Sequence, residues 1–227
     1  MRNWPTALIF DLDGTLVDSA PDIARALNAG FGPLGVPPFP LEGVKGMIGG
    51  GAAVAIRRAA QSLGLTLEPA DEESIFARFM ETYATASAEG KGLYPGAREL
   101  LVELRGRGVP LGLVTNKSER ITHIALEALG IAGHFDAVIG AREDRAKKPD
   151  PAGLNEAIRL LGSTAREVVM IGDSAADIGA ARAAGCRSIA VGYGYAHVAP
   201  AELGADLVVD RLADIPHAIT RLTRPLG

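Results

Sequence analysis

The chain has 227 residues, 48% of them hydrophobic and 22% charged, which excludes a disordered chain and suits one large domain or a core with a smaller insert. The formal net charge is −4 and the basic residues are scattered, which argues against nucleic acid as the partner while leaving room for a locally positive pocket and an anionic substrate. The only cysteine is Cys186, so no intramolecular disulfide can form and a reducing cytoplasm is expected.

Met1 to Pro5 leads into Ala7-Leu8-Ile9-Phe10, an apolar run that Asp11 ends at once. It is too short for a signal peptide or a membrane span, and no other segment approaches spanning length. A soluble protein with no membrane partner is expected. Short continuous apolar runs of this kind fit strands buried on both faces. The pattern recurs at Val109 to Val114, Ala137 to Ile139, Val168 to Ile171, Ser188 to Val191 and Leu207 to Val209. Helical spacing fills the intervals at Ala97 to Arg107, Ser118 to Leu129, Pro151 to Leu161 and Ala175 to Ala184. Strands alternating with helices predict an α/β fold, a Rossmann-like parallel sheet with helices on both faces.

The stretch after the first strand breaks this rhythm. Helical patterns occupy Pro21 to Phe31, Ala52 to Leu63 and Asp71 to Ala88, with no strand between them. Gly and Pro cluster at Gly32 to Pro40, at Gly49-Gly50-Gly51 and at Gly90 to Gly96. The expected organisation is an α/β core of residues 1–16 and 91–227, with a small all-α cap, residues 17–90, inserted after the first strand.

Four motifs follow four of the predicted strands, at the sheet edge where open α/β folds bind ligands. Asp11-Leu12-Asp13-Gly14-Thr15-Leu16-Val17-Asp18-Ser19 places two carboxylates at one strand end. Their repulsion calls for a divalent cation, and oxygen-only ligands favour Mg²⁺. Thr115-Asn116 offers a hydroxyl and an amide suited to phosphate oxygens, and also suits a helix N-cap, as does Ser118. In Lys148-Pro149-Asp150-Pro151 the proline holds Lys148 out of a helix, where its side chain can act as a fixed positive group. Gly172-Asp173-Ser174-Ala175-Ala176-Asp177 supplies a second acidic pair, one helical turn apart.

These motifs, in this order, resemble those of the haloacid dehalogenase (HAD) superfamily, and the insert sits where that superfamily carries its helical type-one cap. Leu93-Tyr94-Pro95-Gly96, Thr115-Asn116-Lys117 and Ile171-Gly172-Asp173-Ser174 look most like the phosphoglycolate phosphatase branch. The resemblance implies a Mg²⁺-dependent phosphomonoester hydrolase of carbohydrate metabolism that forms an aspartyl-phosphate. By it, Asp11 is the nucleophile and Asp13 the general acid and base. Thr115, Asn116 and Lys148 hold the phosphoryl oxygens. Asp11, the backbone carbonyl of Asp13 and Asp173 bind Mg²⁺, while Asp177 acts through metal-bound water or Lys148. The implied partner is a small phosphate ester, first of all 2-phosphoglycolate, a compact substrate expected to fit a tight cap.

In the cap, Lys45, Gly49 and Gly50 are the candidate substrate contacts, because bare glycine amides approach anions closely and a lysine can meet a carboxylate. Tyr193-Gly194-Tyr195 reads as a loop, and His123, His134, His197 and His217 as surface or packing residues. A phosphosugar mutase, or a phosphatase of another ester or of pyrophosphate, shares the same layout. Dehalogenases and phosphonate hydrolases of the superfamily lack the second acid that Asp13 supplies. A non-enzymatic phospho-acceptor switch would carry its acceptor on a later strand and need no cap. No sequence feature specifies an oligomeric state.

Overall fold

The structure, a computed structural model, describes residues 5–223, so the reading of the first four residues lies outside it. The strands are β1 (Ala7–Phe10), β2 (Leu111–Ser118), β3 (Ala137–Ala141), β4 (Val168–Gly172), β5 (Arg187–Val191) and β6 (Leu207–Val209). They form one parallel sheet in the order β3-β2-β1-β4-β5-β6. The helices packed around it are α5 (Ala97–Gly106), α6 (Glu119–Ala128), α7 (Ala152–Leu160), α8 (Ala175–Ala184) and α9 (Ile215–Thr223).

The unbroken apolar runs follow from burial on both faces. Leu8 and Phe10 of β1, Leu111 and Leu113 of β2, and Val169 and Ile171 of β4 enter one apolar cluster with α5 and α9. Their neighbours Ala7, Ile9, Val114, Val168 and Met170 enter another, against α7 and α8. Cys186 packs at the edge of this second cluster. Each Leu, Ile or Phe so buried contributes about 1.5–3 kcal/mol. All strands point the same way, so everything leaving their C-terminal ends meets at one edge.

Between β1 and α5 lie α1 (Ala20–Phe31), α2 (Leu41–Lys45), α3 (Ala52–Ser62) and α4 (Pro69–Ser87). They build an apolar cluster of their own around Ile23, Leu27, Phe31, Val44, Ile56, Ile75, Phe79 and Tyr83. Ile121 of α6 and Tyr195 of the loop after β5 join it, so the helices are seated on the sheet edge. Two chain segments connect them to the sheet, and these pair with each other: Asp18 N donates to Gly92 O (2.7 Å) and Tyr94 N to Leu16 O (2.9 Å). Gly92, at φ 89°, allows this approach; a Cβ there would come within 2.6 Å of Asp18 O.

Two elements differ from the sequence reading. The second strand is longer than its apolar run, and Thr115 and Asn116 lie in its irregular end, between Val114 and Ser118, rather than at a helix N-cap. Ser118 takes the N-cap position of α6, without a side-chain capping bond. The single turn of α2 lies just past the Gly/Pro stretch and is too short to show a helical period.

Candidate active site

Asp11 leaves β1 between β2 and β4, and its amide donates to Ile171 O (2.9 Å), which fixes it at the centre of the edge. The chain then turns tightly, with the amides of Thr15, Leu16 and Val17 all directed at Leu12 O (2.9–3.2 Å). Gly14 takes φ 87° in this turn, and a Cβ on it would lie 2.2 Å from Asp173 Oδ2. Gly194 closes the other side, where a Cβ would lie 2.3 Å from Asp173 Cβ. Asp173 is therefore walled by two glycines. Its oxygens accept from Tyr195 N (2.7 Å) and Thr15 Oγ1 (3.4 Å).

Asp177 sits at the third position of α8 and forms a capping box with Ser174. Its Oδ2 accepts from Ser174 N (3.0 Å) and Oγ (2.6 Å), while Oδ1 accepts from Lys148 Nζ (2.6 Å). Lys148 Nζ also donates to Val114 O (2.6 Å) and lies 2.8 Å from Asp11 Oδ1. The Lys148 backbone is held in turn by the Asn116 side chain: Lys148 N donates to Asn116 Oδ1 (2.9 Å), and Asn116 Nδ2 donates to Lys148 O (3.0 Å). The Lys148–Pro149 peptide is cis.

Asp11, Asp173 and Asp177 are buried, and one oxygen of each lies within 4.8 Å of the others. Burial and the charge of Asp177 raise the pKa of Asp11 to about 7, against the pull of Lys148. Burial, Asp177 and Asp11 push Asp173 well above the carboxylate range. For Lys148, burial favours the neutral form, but Asp11 and Asp177 outweigh it and raise its pKa. Three carboxylates against one ammonium leave excess negative charge in a buried site. The all-oxygen donor set and this uncompensated charge fit a hard divalent cation of the Mg²⁺ kind.

A cavity of about 470 Å³ opens between this edge and the helices. Asp11, Asp13, Thr115, Asn116, Lys148 and Ser174 line its floor. Ile23, Ile48, Phe76, Phe79 and Met80 make the facing wall apolar. The volume falls within the range of pockets for drug-sized ligands, about 300–1,000 Å³. Gly49 and Gly51 also line the cavity, and Gly49 O accepts from Asn116 Nδ2 (3.3 Å). Gly50 is not among the lining residues; its Cα faces Val54 instead. Lys45 is likewise absent from the cavity: its half-exposed ammonium pairs with Glu42 (2.8 Å), one turn away on the same helix. None of the four histidines lines it.

Several contacts here escaped sequence reasoning. Asp13 is held by Lys117 Nζ (3.1 Å from Oδ1) and by the Tyr83 hydroxyl (3.4 Å from Oδ2). Lys117 also donates to the Tyr83 hydroxyl and lies 4.0 Å from the ring centre. Tyr193 OH donates to Thr15 O (2.7 Å), and Tyr195 OH bridges Asp18 and the amide of Ala20. Tyr193-Gly194-Tyr195 thus clamps both the acidic cluster and the entry to α1. Its position just past a parallel strand was the available signal. For Tyr83, inside a helix, there was none.

The sequence profile of the haloacid dehalogenase-like hydrolases matches residues 8–191. The chain is 42% identical to phosphoglycolate phosphatase of Chromobacterium violaceum over 215 residues, covering 92% of this chain and 94% of that one. Its fold matches the crystal structure of a predicted phosphoglycolate phosphatase from Haemophilus somnus with a TM-score of 0.89 at 30% identity, covering 96% and 99% of the two chains. It also matches a variant of CbbY from Rhodobacter sphaeroides in complex with xylulose-1,5-bisphosphate, at TM-score 0.75 and 28% identity, over 92% and 96%.

Proposed function

The chain belongs to the haloacid dehalogenase-like hydrolases, and on that premise we propose that it hydrolyses 2-phosphoglycolate to glycolate and phosphate through an aspartyl-phosphate on Asp11. The observation that carries this reading is the buried group of Asp11 and Asp173, at the ends of adjacent parallel strands, with Asp177 of α8 and Lys148 of the loop after β3.

The steps follow from the side chains. An oxygen of Asp11 attacks phosphorus as the bond to the ester oxygen breaks, and Asp13 gives its proton to the departing alkoxide. Water then attacks phosphorus, Asp13 takes the water's proton, and the bond to Asp11 breaks to release phosphate. Thr115, the amide of Asn116 and Lys148 hold the phosphoryl oxygens and offset their charge. Asp11, the carbonyl of Asp13 and Asp173 would hold Mg²⁺, with Asp177 acting through Lys148 or bound water. When bound, the ion supplies charge compensation between a dianionic phosphate and a carboxylate nucleophile. Residues 17–90 act as a cap that closes on the ester and opens to admit water.

A second reading rests on the cavity. About 470 Å³ also admits a larger sugar phosphate, and the CbbY relative was solved with a sugar bisphosphate. Phosphate release from 2-phosphoglycolate, hexose phosphates, sugar bisphosphates, nucleotides and pyrophosphate, with and without Mg²⁺, separates the two. Highest kcat/KM on 2-phosphoglycolate, Mg²⁺ dependence and a dead Asp11→Asn variant are expected. A preference for a bisphosphate moves the substrate and keeps the mechanism. Full activity in Asp11→Asn removes the mechanism itself.

A further inference from the structure

If 2-phosphoglycolate is the substrate, its alcohol carries a second anion, one carbon from the ester oxygen. The phosphate end has its partners at the sheet edge. The carboxylate end needs a cation on the side of Asp13, the group assigned to that oxygen. In the facing wall, Ile23, Phe79 and Met80 offer no cation, and Tyr83 offers a hydroxyl. Lys45 is turned away and paired with Glu42.

Four cationic side chains line the cavity among the described residues: Arg142, Lys147, Lys148 and Lys117. Arg142 and Lys147 are exposed, and Arg142 is engaged by Asp144 and Glu119. Lys148 is committed to Asp11, Asp177 and Val114 O. Lys117 is different. Its side chain is only 3% exposed, so a full charge sits deep in the cavity beside Asp13. Burying an ammonium is costly unless it has anionic partners. Asp13 and the Tyr83 hydroxyl supply two acceptors, and an ammonium carries three donors. Asp22 on α1 is a further carboxylate within range of its charge.

We propose that Lys117, together with the hydroxyl of Tyr83, forms the subsite for a carboxylate on the substrate's alcohol, and that it selects phosphate esters of 2-hydroxy acids over esters of neutral alcohols. Lys117 is within reach of the group that acts on the ester oxygen, and such a carboxylate is one carbon from that oxygen. Lys117 comes from β2 and Tyr83 from α4, so the subsite is complete only when the helices are seated on the sheet edge. Recognition of the leaving group and closure over it become one event. This subsite rests on the 2-phosphoglycolate reading above.

The test compares 2-phosphoglycolate with n-propyl phosphate, the ester of a neutral alcohol of similar size, in the wild type, Lys117→Met and Tyr83→Phe. Both esters should turn over more slowly in Lys117→Met, because Lys117 also orients Asp13. The kcat/KM for 2-phosphoglycolate should fall roughly ten- to a hundredfold further, the weight of one charged hydrogen bond. Tyr83→Phe should shift the ratio in the same direction by less, and it leaves the buried lysine in place should Lys117→Met fold poorly. If the ratio is unchanged in both variants while the wild type prefers 2-phosphoglycolate, the subsite is wrong and the substrate reading stands. If the wild type itself shows no preference for the carboxylated ester, the substrate reading falls and the subsite with it.

Discussion

The two walls of the cavity are built by different means. The sheet edge is fixed before any ligand arrives. Asp173 is boxed by Gly14 and Gly194, Asp177 is locked in a capping box, and Lys148 is held at both its backbone and its ammonium. The helical wall is mostly apolar side chains, and it meets the edge through few polar contacts, among them Asn116 to Gly49 and Lys117 to Tyr83. Rigid charge at the edge suits a step common to all phosphate esters. A wall joined by few polar contacts suits a region that opens, and that can vary the ester accepted.

The largest expected effect separates the two walls by stability alone. Lys148→Met leaves Asp11 and Asp177 buried without their cation, and breaking a buried pair from one side costs about 3–5 kcal/mol. Chemical denaturation should show that loss together with loss of turnover. Lys45→Met, on the helical side, removes only a solvated pair and should leave the denaturation midpoint unmoved. Equal losses in the two variants would break the distinction between a fixed edge and a loosely joined wall.

Much of the edge was legible because its residues follow apolar runs that can only be buried parallel strands. Asp11 after Phe10 and Asp173 after Gly172 are of this kind, and the order of the motifs placed them on one edge. Lys148 was readable because proline beside it restricts its backbone. What the sequence did not disclose depends on which helix face meets the edge. Tyr83 looks like any aromatic of an amphipathic helix. Lys45 and Lys117 are both lysines near a motif, and only the packing of α2 and α4 makes the first solvated and the second buried. Cavity size was equally hidden, since it depends on how far the helices stand from the sheet.

The next effect concerns charge at the edge. In the metal-free protein the pKa of Asp11 is raised to about 7 from 3.8, so the fold favours its protonated form. A raised carboxylate pKa gives stability that is complete below about 4 and is lost as the pH climbs through about 7. Asp173 is shifted in the same direction. The metal-free protein should therefore lose stability from this site between pH 5 and 8. Mg²⁺ binds the ionised carboxylates, so it should restore more stability at pH 8 than at pH 5. At a hundredfold excess over its Kd the gain is about 2.7 kcal/mol, or about 5–11 °C in Tm for a chain of this size. Scanning calorimetry with and without Mg²⁺ at the two pH values reads it. A Mg²⁺ shift that is equal or larger at pH 5 would place the ion elsewhere.

The smallest effect is expected where the two walls touch. Gly51 caps the N-terminus of α3 at φ 83°, and a Cβ on it would lie 2.9 Å from Asn116 O, at the phosphate end of β2. Gly35 has a similar φ of 69°, but a Cβ there meets nothing within 4 Å. Alanine at Gly35 carries a left-handed backbone penalty of about 1–2 kcal/mol, and at Gly51, where ψ is 175° and the backbone lies in a region essentially reserved for glycine, about 1–3 kcal/mol. Only Gly51→Ala also pushes the helical wall away from the edge. Gly51→Ala should thus lose at least as much stability as Gly35→Ala, and it alone should lower kcat/KM on 2-phosphoglycolate. A loss of several-fold is expected, because about 1 kcal/mol taken from the closed arrangement is roughly a fivefold change in its population. If Gly35→Ala slows the enzyme as much, backbone strain anywhere in the helices is felt at the site, and the Gly51 contact has no special part in closure. If neither variant slows it, the edge acts on its substrate without needing this contact, and the helical wall matters for selecting the ester rather than for holding it.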